Sequence, residues 1–227
     1  NIHHGPTFAE DLATVKKRIS CMLAVLLLAG CAKEQTPPQT VKLNVNNNAR
    51  GSFLDARTPP DGEFGTYIRT ASNSYGIDET LIKAIIKVES GGNPHAVSTS
   101  NAIGLMQLKA STAGNDAYRK KGRGGQPTSR ELQDPAVNID LGTAYLNILQ
   151  NQQLAGISNP KTMRYAMIVS YANGAGAMLR TFSPNRKVAI DKINSMTPEA
   201  FYQHIQKRHP AAQAPRYLWK VNTAYLA

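Results

Sequence analysis

The chain has 227 residues, enough for one ordinary domain with appendages, and carries a formal net charge of +11 with only two cysteines. That balance points to an anionic partner, either nucleic acid, a lipid surface or an anionic polymer. No nucleic-acid-binding motif accompanies the charge, the histidines lack metal-ligand spacing, and there is neither a Ser-His-Asp order nor a phosphate-cradling glycine loop. No metal and no cofactor are therefore expected.

Lys16, Lys17 and Arg18 precede an apolar run over residues 19–29 that is too short to span a bilayer. A basic stretch followed by such a run reads as a secretory signal. It ends in Leu28-Ala29-Gly30-Cys31, which resembles the lipobox of bacterial lipoproteins, with Cys31 as the thiol that is lipidated. Residues 1–31 are expected to form this signal region. Residues 1–14 lie upstream of it, from a start at Val15 misread upstream or as an expression remnant. Cys21 leaves with the signal, so the mature chain has no disulfide; a core of about 160 residues needs none. Ala32 and Lys33 lack the aspartate that retains lipoproteins at the inner membrane, and by resemblance to that sorting rule the outer membrane is favoured. Residues 32–63, with Pro37-Pro38, Asn46-Asn47-Asn48 and Pro59-Pro60, read as a flexible tether. Fully extended, such a tether reaches at most about 100 Å.

Residues 78–89 read as an amphipathic helix, with Asp78 as N-cap, Ile82, Ile85 and Ile86 at helical spacing, and Gly91-Gly92 as the stop. Glu89 falls on the apolar face. Desolvation there disfavours the ionised carboxylate, as a general acid requires. A polar loop follows, Ser98-Thr99-Ser100-Asn101, and then an apolar stretch through Gly104-Leu105-Met106-Gln107; no other acid occurs before Asp116. One carboxyl group among short hydroxyl and amide side chains suits a neutral polyhydroxylated ligand, a sugar, better than a metal or a phosphate. Any β structure is expected to be small and near residues 98–104. Gly122, Gly124 and Gly125 mark a flexible loop that could line a groove. Further helices are expected over residues 135–152, 161–171, 186–193, 198–208 and 216–225.

Glu89-Ser90-Gly91-Gly92-Asn93-Pro94 followed by Gly104-Leu105-Met106-Gln107 resembles the signature of the lytic murein transglycosylases with a soluble-lytic-transglycosylase domain. Asp134-Pro135, Asn138-Ile139, Gly142, Tyr145-Leu146, Ser170-Tyr171-Ala172-Asn173-Gly174 and Pro215-Arg216-Tyr217 extend the likeness to the C-terminus. Among them the chain is most similar to the small membrane-bound endo-type enzymes. The resemblance implies a mainly α, single lysozyme-like domain over residues 64–227, with a glycan groove and at most a small β element. It implies endo-type cleavage of the β-1,4 bond between N-acetylmuramic acid and N-acetylglucosamine, with 1,6-anhydromuramoyl ends. The partners implied are peptidoglycan strands and the outer membrane, on whose periplasmic face the lipid anchor would hold the chain.

On this reading Glu89 is the catalytic acid and then base. Ser98 and Ser100 bond the glycan or its N-acetyl group, against their common use in closing turns. Gln107 bonds sugar or orients Glu89, and Met106 is either groove wall or core. Tyr171 stabilises positive charge near the anomeric carbon or bonds the N-acetyl oxygen. Asn173 is displaced by Ala172 from the family's Tyr-Asn-Ala-Gly order. Tyr217 follows Gln213-Ala214-Pro215 where the family carries Glu-Thr, and suits sugar stacking, placement of Glu89 or simple packing. Two alternatives stay open: a lysozyme-type hydrolase, whose second carboxylate would be Asp116 or Asp140, and a non-catalytic wall-binding lipoprotein.

Overall fold

The structure is a computed structural model and describes residues 59–227. The signal region, Cys31 and nearly all of the tether lie outside the described residues. Residues Pro59–Phe64, at the end of the segment expected as tether, form short 3-10 turns broken at Gly62, where φ is 67°. They lead directly into α1 (Gly65–Tyr75).

Helix α2 (Glu79–Ser90) forms as its sequence predicts: the Asp78 carboxylate accepts the Thr80 N–H, and Gly91 closes the helix in the left-handed region at φ 64°. A two-residue hairpin follows, β1 (Ala102–Ile103) against β2 (Leu108–Lys109), with Ala102 opposite Lys109 and Ile103 opposite Leu108. Val97 adds one bridge to Ile103. A π-helical turn, Ala110–Gly114, runs into α3 (Asn115–Lys120). After an exposed loop, α4 (Ser129–Leu132) starts with a capping box between Thr128 and Glu131.

Helices α5 (Pro135–Ile148) and α6 (Pro160–Asn173) both begin with proline behind a capping Asp134 or Asn159. They form the centre: Ile139, Tyr145, Leu146, Ala166, Ile168 and Val169 have no exposed surface. Complete burial of each large apolar side chain contributes about 1.5–3 kcal/mol. The helix expected over 135–152 stops at Ile148, and a π-helical turn, Leu149–Gln153, takes up its end. The remaining helices are α7 (Ala175–Arg180), α8 (Arg186–Asn194), α9 (Pro198–Arg208) and α10 (Ala214–Leu226). Helix α10 packs along both α2 and α6, while α1 lies on α5. No helix among the described residues is long and apolar enough to cross a membrane.

Candidate active site

Asp78, Ile82, Ile85 and Glu89 recur at helical spacing, so Glu89 lies on the inward stripe of α2. Its side chain is 2% exposed, and the Tyr217 hydroxyl, from fully buried Tyr217 on α10, donates to its Oε2 at 2.8 Å. Residues 128 positions apart thus meet inside the protein. Of the uses open to Tyr217, contact with Glu89 is the one observed. Ser90 shapes the exit from the helix: its hydroxyl donates to the Ile86 carbonyl at 3.2 Å and accepts the Gly92 N–H at 3.1 Å.

The loop between Glu89 and the hairpin is held largely by its own polar side chains. Ser98 Oγ accepts the N–H groups of Ser100 and Ala102 at 3.2 and 3.0 Å, and lies 3.4 Å from Ser100 Oγ. Both serines therefore close a turn, Ser98 buried and Ser100 half-buried. The Gln107 amide donates to the carbonyls of Ala96 and Gly104 at 3.0 and 3.1 Å. Those bonds fix the turn, where Gln107 itself sits at φ 51°. Its buried Oε1 has no hydrogen-bond partner. Met106 has no exposed surface, and a Cβ at Gly142 would meet its sulfur at 2.3 Å, so the Met106 side chain is core and does not form an accessible groove wall.

Tyr171 and Asn173 end α6 but face different ways. The Tyr171 hydroxyl donates to the Met106 carbonyl at 2.6 Å, and its ring meets Tyr145 edge-on at 5.7 Å. The Asn173 amide donates back to the Val169 carbonyl at 3.3 Å, leaving its buried Oδ1 without a hydrogen-bond partner. Gly174, at φ 88° and ψ 140°, then breaks the chain before α7.

One supporting residue belongs to the motifs that carry the resemblance but has no role assigned from sequence. Asn138, fully buried on α5, accepts the Met106 N–H at 2.8 Å and donates to the carbonyls of Ile103 and Leu132 at 2.9 and 2.8 Å. It ties the hairpin, α4 and α5 together. Gly104 fits there only without a side chain, since a Cβ would lie 2.3 Å from both Asn138 Nδ2 and the Leu132 carbonyl. A polar residue amid the apolar run of α5 was the available signal.

The acids named as partners for a hydrolytic reaction are engaged elsewhere. Asp140 Oδ1 accepts the Tyr75 hydroxyl and Oδ2 pairs with Lys121, each at 2.9 Å. Lys121 has its pKa raised, first by its bond to Tyr75 and then by its bond to Asp140. Asp116, 3% exposed, lies 3.5 Å from Arg119. Among the described residues no group of three or more His, Cys, Asp or Glu side chains could hold a metal ion. The loop carrying Gly122, Gly124 and Gly125 is exposed, and Gly122 and Gly125 both sit at φ 78°.

A family model described as "Transglycosylase SLT domain" matches residues 66–194. "Endo-type membrane-bound lytic murein transglycosylase A" of Salmonella paratyphi B is 50% identical over 203 residues, which cover 88% of this chain and 94% of the relative. The protein of the same name from Salmonella typhimurium matches equally. Among solved structures, an inactive Glu-to-Gln mutant of the lytic transglycosylase Slt from Pseudomonas aeruginosa aligns with a TM-score of 0.56 at 25% identity, covering 76% of this chain and 24% of that one. The 70 kDa soluble lytic transglycosylase of Escherichia coli aligns with a TM-score of 0.53, also at 25% identity, covering 70% and 23%. The chain thus spans about a quarter of the length of those two enzymes. By the family match and the near full-length identity to its curated relatives, the chain belongs to the SLT-domain transglycosylases.

Proposed function

We propose that Glu89 carries out both proton transfers in this protein's lytic transglycosylase reaction on peptidoglycan, with Tyr217 holding its carboxyl group in place. The observation that carries the proposal is the buried Glu89 carboxyl, 2.8 Å from a phenol hydroxyl, at the end of a well-capped helix. The protonated acid gives its proton to the glycosidic oxygen between N-acetylmuramic acid and N-acetylglucosamine, and the bond from that oxygen to the anomeric carbon breaks. The C6 hydroxyl of the same muramoyl residue bonds to the anomeric carbon, its proton passing to the Glu89 carboxylate. The product is a 1,6-anhydro ring, and Glu89 returns to its starting form. Internal delivery outcompetes bulk water because the attacking oxygen is already held beside the carbon it attacks.

Ser98, Ser100, Gln107 and Tyr171 shape this site chiefly by fixing its walls. The unpartnered Gln107 Oε1 and Asn173 Oδ1 are acceptors for a sugar hydroxyl or N-acetyl N–H. Both atoms are enclosed, so side-chain movement must accompany sugar binding. Endo-type action follows the name of the 50% identical relatives, as does membrane attachment. Cys31 is the attachment point we propose, with the chain on the periplasmic face of the outer membrane.

Digestion of sacculi in heavy-oxygen water tests the reaction. Anhydromuropeptides without label at the anomeric carbon are expected; predominantly labelled reducing ends would make the protein a hydrolase. Glu89→Gln keeps the shape of the side chain but cannot deliver the proton. General acid–base catalysis contributes about 10²–10⁴-fold, and two transfers depend on one residue, so turnover should vanish while glycan binding persists.

A further inference from the structure

Helix α10 touches α2 at both ends. Tyr217, near its start, reaches Glu89 at the C-terminal end of α2, and Tyr225, eight residues later, donates its hydroxyl to Asp78 Oδ2 at 2.5 Å, at the N-cap of α2. The helices therefore run antiparallel. Tyr217, Val221 and Tyr225 share one face of α10, facing the Asp78, Ile82, Ile85 and Glu89 stripe of α2. The middle of this seam is apolar and fully buried, with Val221, Ile82 and Ile85 showing no exposed surface. Apolar contacts are non-directional and tolerate sliding. A register set only by them and by the Tyr217 bond would leave Glu89 anchored to a helix that could itself shift.

Tyr225 also meets α6. The Arg164 guanidinium lies 4.1 Å from the centre of the Tyr225 ring, and α6 carries Tyr171 and Asn173 at its far end. One side chain thus joins the three helices that supply Glu89, Tyr217, Tyr171 and Asn173.

We infer that Tyr225 is a positioning residue for catalysis: by pinning α10 to Asp78 and Arg164 it sets the register that places Tyr217 against Glu89. The inference rests on Glu89 as the catalytic acid. The bond to Asp78, and then burial, raise the pKa of the Tyr225 hydroxyl above that of an ordinary phenol, so the donor is present throughout the range in which the enzyme is assayed. Asp78 divides its two oxygens between tasks, Oδ1 capping the Thr80 N–H and Oδ2 receiving Tyr225.

That division makes the test clean. Tyr225→Phe removes only the hydroxyl and leaves the ring under Arg164. Asp78→Asn keeps a good N-cap and loses the charged acceptor. Turnover of soluble glycan strands is measured for the parent, both variants and the double variant, well below every variant's melting temperature, with glycan binding followed separately. Small displacements of reacting groups are costly, a 1 Å error reaching about 10²-fold, so each variant should lower kcat about three- to tenfold with KM unchanged. The double variant should be no worse than the poorer single one, because the two groups act through one bond. Unchanged kcat in Tyr225→Phe, a loss confined to KM, or additive losses in the double variant would each overturn the pin. Glu89→Gln separates the two readings. If it is inactive while Tyr225→Phe is fully active, only the pin falls; if Glu89→Gln keeps turning over, the catalytic assignment falls and the pin with it.

Discussion

An Asn138→Ala variant removes one carboxamide and three hydrogen bonds at a point that solvent does not reach. It leaves the Met106 N–H without its acceptor and the carbonyls of Ile103 and Leu132 without this donor. A buried backbone group left unpaired costs about 1–3 kcal/mol; with the two carbonyls at the low end, since each can turn toward another donor, the loss comes to about 3–5 kcal/mol. Domains are typically stable by only about 5–15 kcal/mol, so the variant should be marginal. With a urea slope of about 2 kcal/mol per molar, the unfolding midpoint, read by far-UV circular dichroism, should fall by about 1.5–2.5 M. Asn138→Asp is the companion: nearly the same shape, but two donors lost and a charge gained. A comparable loss there excludes the cavity as its main cause and leaves the lost donors together with the buried charge. Midpoints within about 0.3 M of the parent in both variants would refute the view that this amide organises the hairpin beside the site.

Tyr217→Phe leaves the ring in place and removes the donor to Glu89. A hydrogen bond to a charged group contributes about 1.5–3 kcal/mol, which predicts a drop in kcat of about 10–100-fold with sacculus binding intact; a change in binding alone would contradict it. Gly104→Ala combines φ 82° with a 2.3 Å clash against Asn138 and Leu132; left-handed strain plus overpacking should destabilise by about 2–4 kcal/mol, and an unshifted melting temperature would argue against that packing. Burial pushes the His209 imidazole down to about 4, and its Nδ1 accepts the Ala211 N–H. Unfolded chains take up this proton near the ordinary value of about 6.5, so its contribution is complete above that pH and is lost as pH falls toward 4, by about 3 kcal/mol in all. His209→Asn keeps an acceptor without the titration, and its melting temperature should fall less steeply over that window; equal slopes would refute the assignment.

Helix α2 was legible because it half-faces solvent: one apolar stripe, a capping aspartate and a terminal glycine all agree. Helices α5 and α6 are buried around most of their circumference, which blurs the stripe that marks an exposed helix, yet their capped prolines fix where they begin. The short helices α3, α4 and α7 span too few turns for periodicity to register. The first helix, α1, was passed over although it is longer. At the site, sequence marks Glu89 as the catalytic candidate and leaves Tyr217 open to sugar stacking, placement of Glu89 or packing; the two side chains meet. The polar loop was legible in composition only. Its hydroxyls and amides suggested sugar contacts, but Ser98 and Gln107 give many of their hydrogen bonds to the backbone of their own turn. A short polar side chain in a tight loop faces that local competition first. The contacts of Asn138 with the hairpin and of Tyr225 with Asp78 were hidden for the opposite reason, since those partners lie far away in sequence.

A single acid that must first give and later take a proton constrains its neighbour. A lysine or arginine beside a carboxyl group favours the ionised form, depletes the acid that the first step needs and opposes the proton uptake of the last. A second carboxylate would favour the protonated form and oppose the proton release of the first. A phenol has neither bias of charge: its hydroxyl donates to a carboxylate, and its oxygen accepts from a carboxylic acid. Tyr217 at 2.8 Å from Glu89 Oε2 can therefore stay bonded through both halves of the reaction. That property also explains why the contact is buried. Without competing water, the phenol must remain with Glu89 in either protonation state, and the carboxyl group keeps one orientation while its charge changes. Helix α10, held along α2 at both ends, supplies the rigidity this arrangement needs. On the proposed mechanism, neutral contact and fixed register together would let one glutamate do work that most glycosidases divide between two carboxylates.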